Sequence, residues 1–298
     1  MSEFPQIKIR ILETPEEMSA VEDLQRLVWP SCETDIVPAH LLIILAHNNN
    51  FVIGAYIQEK KEDEEALIGF ACGFPGRVKG TESGVFKYCS HQLGVHPDYR
   101  SRGIGFALKR AQWQIARHQG YQRITWTYDP LLSRNGYLNI SRLGATCNTY
   151  KRDAYGQLRD SLNIGLVTDR FQVDWWLNSS RVVQRLKRFS RRCLDLGNFL
   201  SAGAKIINPV QKTSRGWPVP PNISTDIYLR PLVLIEIPPD FLALKASDPD
   251  LALEWRLHTR ALFEDLFVHG SLVTDFVHHP GANSRSFYVL SHGESTLR

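Results

Sequence analysis

The sequence predicts an α+β fold, and three observations on its first 150 residues lead to this class. Short runs with alternating apolar and polar residues, such as Ile7–Leu12, predict β-strands. Longer stretches with apolar residues at helical spacing, such as 15–29, predict helices. Two apolar runs, 51–57 and 66–74, flank a charged stretch and predict a hairpin. Together these segments give the order β-α-β-β-β-α-β-α-β.

Composition and charge restrict the class of protein. The 298 residues are 43% hydrophobic and 22% charged, which is typical of a globular protein with a sizeable core. The net charge of +4 is too small by itself to indicate nucleic-acid binding. The five cysteines form no C-x-x-C pair, which favours reduced thiols, and no metal is expected. Without a signal-like start or a membrane-length apolar run, we expect a cytoplasmic protein with no membrane or nucleic-acid partner.

Composition also divides the chain into three parts. Residues 1–180 carry the predicted catalytic fold, and residues 181–222 combine a basic helix with a Pro/Gly/Ser-rich linker. Residues 223–298 predict a smaller α+β domain, in which Asp248 begins an amphipathic helix. The basic run 181–192 is interpreted as a solvated helix face, with attraction of anionic acyl chains, nucleic acid or lipid headgroups as the alternative.

Two short segments resemble each other. Val95–Tyr99 and Ile237–Phe241 each end a predicted strand and precede a helix that ends at a glycine. A degenerate half-repeat would explain the resemblance, and a common strand–turn–helix pattern would explain it equally.

A glycine-rich turn is the most informative feature of the sequence. The stretch HPDYRSRGIGFALKRAQWQ places Gly103 and Gly105 at the start of a helix, after Arg100 and Arg102. Glycines allow close approach of the backbone, and a helix N-terminus offers unpaired N–H groups and a positive dipole end. The turn therefore predicts a phosphate site. It is neither a Walker A loop nor a complete dinucleotide fingerprint, since no G-K-[ST] follows and Leu108 replaces the third glycine.

The helix after this turn has a predicted buried face and a predicted polar face. The buried face consists of Ile104, Leu108, Ala111 and Ile115. The residues expected to lie mostly elsewhere are Lys109, Arg110, Gln112 and Arg117.

The strand, turn and helix together resemble the GNAT superfamily of acyl-coenzyme A-dependent N-acyltransferases. The family's phosphate motif is [Q/R]-x-x-G-x-[G/A] after a strand that ends in L-x-V-x-P. The positions that match in register are Leu93, Val95, Pro97, Arg100, Gly103 and Gly105. Residues 126–145 further resemble a subgroup of predicted GNAT acyltransferases with a C-terminal extension. The resemblance implies a GNAT fold, with a mixed, mostly antiparallel central sheet flanked by helices.

The same resemblance implies acyl-coenzyme A as co-substrate, either acetyl-CoA or succinyl-CoA. Backbone N–H groups of 102–105 would hold its pyrophosphate, and an N–H near Leu93 or Val95 would polarise the thioester carbonyl. The residues expected to bind the coenzyme are Leu93, Gly94, Val95, Arg100, Ser101, Arg102, Gly103, Ile104, Gly105, Phe106 and Asn135.

The resemblance implies that His91 is the general base, because some amine acetyltransferases of the family use a histidine two residues before the L-x-V run. Strand alternation predicts that His91, Leu93 and Val95 share one face, and an imidazole suits a base at neutral pH. A hydrogen-bonded structural histidine is the alternative. Cys89 on the same strand leaves open a second route, in which the cysteine first takes the acyl group. The alternative is that Cys89 is a small buried thiol with no catalytic role.

The general acid departs from the family pattern. A tyrosine usually precedes the glycine of the last helix by four residues, and Ile140 occupies that position here. Tyr137, one turn earlier, is the expected substitute. If His91 is structural, Tyr137, Asp129 or ordered water is expected to take over its proton transfer.

These residues predict an N-acyltransferase that moves an acetyl or succinyl group to a primary amine by direct attack. We expect the acceptor to be a small molecule such as an amino acid, because the chain beyond residue 180 could cover an open groove. The alternatives are a protein or peptide N-acetyltransferase and a non-catalytic acyl-CoA-binding sensor. A homodimer is compatible with the sequence.

Overall fold

The computed structural model describes residues 7–30, 33–58, 65–78, 85–156, 165–187, 194–221 and 230–292. Within it the chain divides into two compact units, one that ends at Trp126 and one that begins at Thr127. The three-part organisation expected from composition stays a prediction.

The first unit follows the predicted order of elements, with one additional helix. This helix, Ala39–His47, is almost entirely apolar and therefore shows little helical periodicity in sequence. In chain order, the elements are β1 (Ile7–Leu12), α1 (Pro15–Val28), α2 (Ala39–His47), β2 (Val52–Gln58), β3 (Glu65–Arg77), β4 (Phe86–Val95), α3 (Ile104–His118) and β5 (Arg123–Tyr128), the last two residues of which enter the second unit.

Local capping explains where α1 begins. The Thr14 side chain accepts a hydrogen bond from Glu17 N at 3.3 Å, and the Glu17 carboxylate accepts one from Thr14 N at 3.1 Å. This capping box satisfies two backbone donors, and Pro15 fits the first helical position. The helix start predicted at residue 15 is confirmed.

The sheet of the first unit has helices on both faces. Strands β1 to β4 pair antiparallel in sequence order, and β5 pairs parallel with β4. Phe70 and Cys72 of β3 belong to an apolar cluster with α1 and α2. On the other face, the position of a Cβ on Gly69 would lie 3.0 Å from Ile104 and 3.2 Å from Leu108 of α3. The mixed, mostly antiparallel sheet predicted by the family resemblance is confirmed.

The buried face of α3 differs from the predicted one. Lys109 and Gln112 are buried, together with Trp113, whereas Ala111 and Ile115 are only half-buried. The helix is therefore rotated so that Gln112 lies near the centre of its buried face. The prediction that Lys109 and Gln112 lie mostly away from the core was wrong.

The second unit contains the remaining elements. In chain order, they are α4 (Ser133–Gly136), β6 (Thr146–Lys151), β7 (Arg170–Trp176), α5 (Ser180–Lys187), α6 (Leu196–Ser201), β8 (Lys205–Ile206), β9 (Gln211–Lys212), β10 (Pro218–Val219), β11 (Leu232–Ile237), α7 (Phe241–Ser247), α8 (Pro249–Val268), β12 (Ser271–His279) and β13 (Arg285–His292). A π-helical turn, Tyr137–Arg142, continues α4. Asp248 caps α8 by accepting from Leu251 N at 3.0 Å, as the sequence predicts.

The strand order of the second unit is β7-β6-β12-β13-β11-β8, antiparallel except between β8 and β11. This order bears on the half-repeat. In the first unit β4 pairs directly with β5, whereas β13 lies between β11 and β12. The two resembling segments therefore precede helices that connect strands in different arrangements.

Two expected linker features have structure of their own. The Pro/Gly/Ser-rich stretch contains the antiparallel pair β9 and β10. In the basic run, Arg181 donates to Gly144 O at 3.1 Å and Arg185 pairs with Asp275 at 2.7 Å. These two arginines bind within the second unit, and residues 188–192 of the run lie outside the described residues.

Across the ranges that the structure describes, none of the helices combines the length and the apolar composition needed to cross a bilayer.

Candidate functional site

The pairing of β4 with β5 ends abruptly. Among the described residues, the parallel ladder consists of Tyr88 with Ile124 and Cys89 with Thr125. The next residues, Ser90 on β4 and Trp126 on β5, do not continue it. We call Ser90–Val95 together with Trp126 the β4–β5 fork. Such an opening leaves backbone groups of a central strand available to a ligand.

A β-bulge in β4 changes the position of His91. Gly73 of β3 pairs with Ser90 and Cys72 pairs with Gln92, so His91 is the extra residue. Ser90 faces α3, because Lys109 donates to its hydroxyl at 2.7 Å. His91 lies on the opposite face, where its ring centroid is 5.9 Å from that of Phe74.

The alternation expected for His91 is therefore wrong. Leu93 pairs with Ala71, which shares the α3 face of β3 with Gly69. Leu93 and Val95 thus face α3, whereas His91 faces the side of α1 and α2. The bulge inserts one residue, and strict alternation cannot be carried across it.

The surroundings of His91 suit a base. Its side chain is exposed, yet desolvation by the adjacent protein lowers its pKa from the ordinary value of 6.5. The imidazole is consequently neutral at pH 7 and able to accept a proton. Cys89, on the same face, accepts a long hydrogen bond from Thr125 Oγ1 at 4.0 Å.

Backbone direction places two N–H groups in the fork. His96 N donates to Ile68 O of the antiparallel neighbour β3 at 2.9 Å. Successive N–H groups of a strand point to alternate sides, so those of Leu93 and Val95 point away from β3 and towards the fork. Gly94 is required between them, because a Cβ there would lie 2.6 Å from the Phe70 ring.

The turn after β4 has the conformation of an anion-binding loop. Ser101 and Gly103 both have positive φ, at 64° and 81°. Gly103 O accepts the first bond of α3 from Ala107 N at 3.0 Å, so the N–H groups of Ile104 and Gly105 precede the helical ladder. Successive N–H groups at a turn and a helix start form a cradle that fits a pyrophosphate.

The two arginines of the turn have different environments. Arg100 donates to Val95 O at 3.4 Å and to Val28 O at 3.3 Å, and so ties the turn to β4 and α1. Arg102 is exposed and lies over the Tyr99 ring at 5.1 Å. Arg102 is thus the better placed of the two to add charge to a bound anion. Phe106, in the first turn of α3, is half-buried.

The remaining predicted site residues belong to the second unit. Asn135 lies in α4 and is half-buried, and Tyr137 begins the π-helical turn with 38% of its surface exposed. Ile140, at the position of the family's usual tyrosine, is fully buried. Since π-helical turns occur frequently at functional sites, Tyr137 stays the predicted general acid.

The structure argues against Asp129 as a proton carrier. Its carboxylate accepts two bonds from Arg256, at 2.8 and 2.5 Å, and a third from Leu131 N at 2.9 Å. Tyr128 is buried, and desolvation raises its pKa well above 10. Both residues are held in the interior of the second unit.

Lys109 is the site residue that the sequence analysis missed. Only 3% of its surface is exposed, and its Nζ donates to Ser90 Oγ at 2.7 Å and to Gln112 Oε1 at 3.0 Å. The same Nζ lies 3.8 Å from the centre of the Trp126 ring. Desolvation by burial lowers the pKa of Lys109 to about 7, although the ring face favours the cation.

We expect Lys109→Met to stabilise the protein. The lowered pKa means that the protonated form of Lys109 is less stable in the folded protein than in the unfolded chain. This cost to the free energy of folding is fully present below pH 7 and is absent above the unfolded pKa of ~10.4. Replacing a buried charge with an apolar chain of similar volume gains about 1–4 kcal/mol in favourable cases. Urea unfolding at pH 7 should show the gain, and the difference from wild type should shrink at pH 10. A variant less stable than wild type at pH 7 contradicts this account.

In the described ranges, no cluster of three or more His, Cys, Asp or Glu side chains could hold a metal ion.

Comparison with known proteins agrees with this geometry. Residues 18–134 match the model of the Acetyltransferase (GNAT) family. No curated protein matches the chain in sequence.

Solved structures that match part of this chain include three acetyltransferases. NAA60 of Arabidopsis thaliana, in complex with acetyl-CoA, is 16% identical, with 58% of this chain and 99% of that chain covered and a TM-score of 0.45. An N-acetyltransferase of Staphylococcus aureus Mu50 is 13% identical, with 58% and 99% covered and a TM-score of 0.45. The ribosomal-protein-S18-alanine N-acetyltransferase of Escherichia coli is 15% identical, with 58% and 94% covered and a TM-score of 0.41.

The match to the family model includes the fork, the bulge and the glycine-rich turn. Residues 18–134 of this chain are therefore similar to the Acetyltransferase (GNAT) family.

Proposed function

We propose that this protein transfers an acetyl or succinyl group from acyl-CoA to the primary amine of a small molecule such as an amino acid. The observation that carries the proposal is the fork, which opens directly before the glycine-rich turn and the start of α3. One end of this arrangement can bind a pyrophosphate, and the other presents backbone donors at a central strand.

Each part of the first unit has a proposed task. Acyl-CoA supplies an acyl group that its thioester has already activated. The N–H groups of Ile104 and Gly105, with the charge of Arg102, bind the phosphates. The N–H of Leu93 or Val95 donates to the carbonyl oxygen, where negative charge develops during attack.

Proton transfer is assigned to His91 and Tyr137. His91 accepts the proton that the acceptor amine loses as its nitrogen forms the new bond to the carbonyl carbon. The carbon–sulfur bond breaks, and the leaving sulfur receives a proton from Tyr137.

Cys89 offers a different route, in which its thiolate would first take the acyl group. Cys89→Ala separates the two routes. Direct attack leaves kcat of this variant near the wild-type value, whereas an acyl-cysteine route loses it.

The proposal is tested by measuring thiol release from acetyl-CoA and succinyl-CoA with a panel of amino acids, small amines and peptides. Release that depends on an amino acid or small amine supports the proposal. Release that depends only on peptides indicates the alternative, a peptide N-acetyltransferase. Coenzyme binding without release with any amine indicates a sensor.

The phosphate turn provides a second test. Gly105→Glu is expected to weaken coenzyme A binding by at least ~2 kcal/mol, because a carboxylate enters the place proposed for the pyrophosphate. Gln114→Glu is the matched control, since it adds the same charge at an exposed position of α3. Calorimetric titration measures both. Wild-type affinity in a folded Gly105→Glu protein would sink the assignment of the turn.

A further inference from the structure

The fork has two different faces. On the side of α1 and α2, it presents the exposed His91. On the side of α3, the residues immediately beyond the last strand pair are Ser90 and Trp126, and both contact Lys109. The His91 side chain is therefore exposed on one face of the fork, whereas Lys109 is buried on the opposite face.

One ammonium group holds both arms of the fork. Its bond to the Ser90 hydroxyl holds the residue of β4 that follows the last β4–β5 pair, and its position over the Trp126 ring holds the residue of β5 that follows the same pair. Gln112, fully buried on the next turn of α3, accepts a bond from the same Nζ and so orients it. The three contacts converge at the point where the strands part.

We propose that Lys109 is a positioning residue for acyl transfer, which holds Ser90 and Trp126 as the floor on which the acyl end of the co-substrate rests. This inference depends on the proposed function, because it takes the fork as the place of the thioester. Lys109 acts through Ser90 and Trp126, and the substrate is not required to touch it.

A role in folding alone does not account for Lys109. In the described part of the chain, the hydrogen-bond partners of its Nζ are the neutral groups Ser90 Oγ and Gln112 Oε1, and no carboxylate forms an ion pair with it. A buried ammonium without a carboxylate is costly, and an apolar side chain would fill the same volume without that cost. A methionine at this position is therefore expected to give a more stable protein. It has no charged donor group, so it cannot make the contacts of Lys109 with Ser90 and Trp126.

The decisive experiment compares Lys109→Met with wild type in three measurements. These are kcat and KM for acetyl-CoA with the fastest amine of the panel, the dissociation constant of free coenzyme A, and the thermal midpoint. We expect kcat/KM to fall at least tenfold while coenzyme A affinity changes less than twofold, because the phosphate turn is unaltered. The thermal midpoint should rise. Gln114→Met, at an exposed position of α3, is the control and should match wild type in all three.

Ser90→Ala is the second variant, and it decides the matter if Lys109→Met does not fold. It removes the β4 partner of the ammonium group, so it should lower kcat/KM in the same direction by a smaller factor. The inference is overturned if a folded Lys109→Met protein has the kcat/KM of wild type. If Lys109→Met does not fold, a wild-type kcat/KM in Ser90→Ala overturns it. Absence of transfer by the wild-type enzyme rejects the proposed function instead, so the two failures are distinguishable.

Discussion

Arg256→Met is expected to lower the free energy of unfolding of the second unit by about 3–5 kcal/mol. Arg256 is 1% exposed, and its guanidinium donates two bonds to the Asp129 carboxylate. Removing the guanidinium leaves a carboxylate in the interior, with Leu131 N at 2.9 Å and the Arg170 guanidinium 3.9 Å away. A buried carboxylate that loses its bidentate partner carries a large desolvation cost, which the more distant Arg170 offsets only in part.

Two further variants identify the cause of that loss. Asp129→Asn combined with Arg256→Met removes both charges and should recover much of the stability, because no carboxylate is stranded. Arg152→Met breaks the exposed pair with Glu264 in the same unit and should leave the free energy of unfolding almost unchanged. Urea unfolding of the four proteins measures these differences. A double variant as unstable as Arg256→Met would show that the stranded charge is not the cause.

Helix ends were predicted well because their determinants are local. The capping box between Thr14 and Glu17 spans four residues, and Asp248 followed by Pro249 spans two. Side chain, backbone donor and helix start are all within one turn of each other. No information from distant parts of the chain is needed to place them.

The bulge at His91 could not be predicted in the same way. Strand alternation assumes a period of two, and the sequence from 88 to 95 contains no residue that marks an insertion in the ladder. The extra residue is visible only once Gly73 pairs with Ser90 and Cys72 pairs with Gln92. The identity of the candidate base was thus available from sequence, but the face that it occupies was not.

The burial of Lys109 had a detectable signal. Trp113 and Ala116 are apolar positions of α3 that lie outside the narrow stripe of Ile104 and Leu108. A face wide enough to bury all four apolar residues necessarily includes Lys109. Charged side chains are usually assigned to the solvent face of a helix, and for this reason Lys109 was not expected to be buried beside the fork.

Long-range ion pairs show the other limit of sequence reasoning. Asp129 and Arg256 are 127 positions apart, and each alone is an ordinary charged residue of a turn and a helix. The sequence places Asp129 at the end of β5 as a candidate for proton transfer, and an ordinary Asp-Pro turn is the alternative. In the folded protein Arg256 binds this carboxylate, so it is not available for proton transfer. No local sequence pattern indicates that the two residues pair.

His91→Ala is expected to lower kcat by ~10²–10⁴-fold, the usual effect of removing a general base. Coenzyme A affinity should stay near the wild-type value, because the turn from Arg100 to Gly105 is not altered. His118→Ala removes an exposed imidazole at the end of α3 and is the matched control.

The pH dependence of the rate distinguishes a base from a structural histidine. Desolvation lowers the pKa of His91 below 6.5, so the wild-type rate should fall only as the pH drops below that value and the imidazole becomes protonated. Without the imidazole, the rate should follow the fraction of free amine, which moves the acidic limb to higher pH and lets alkaline buffer restore part of the rate. An unchanged kcat with an unchanged acidic limb would falsify the assignment of His91 as base. In that case the exposed imidazole beside Phe74 belongs to the surface of the bulge, and the proton must leave through another group on the same face of the fork.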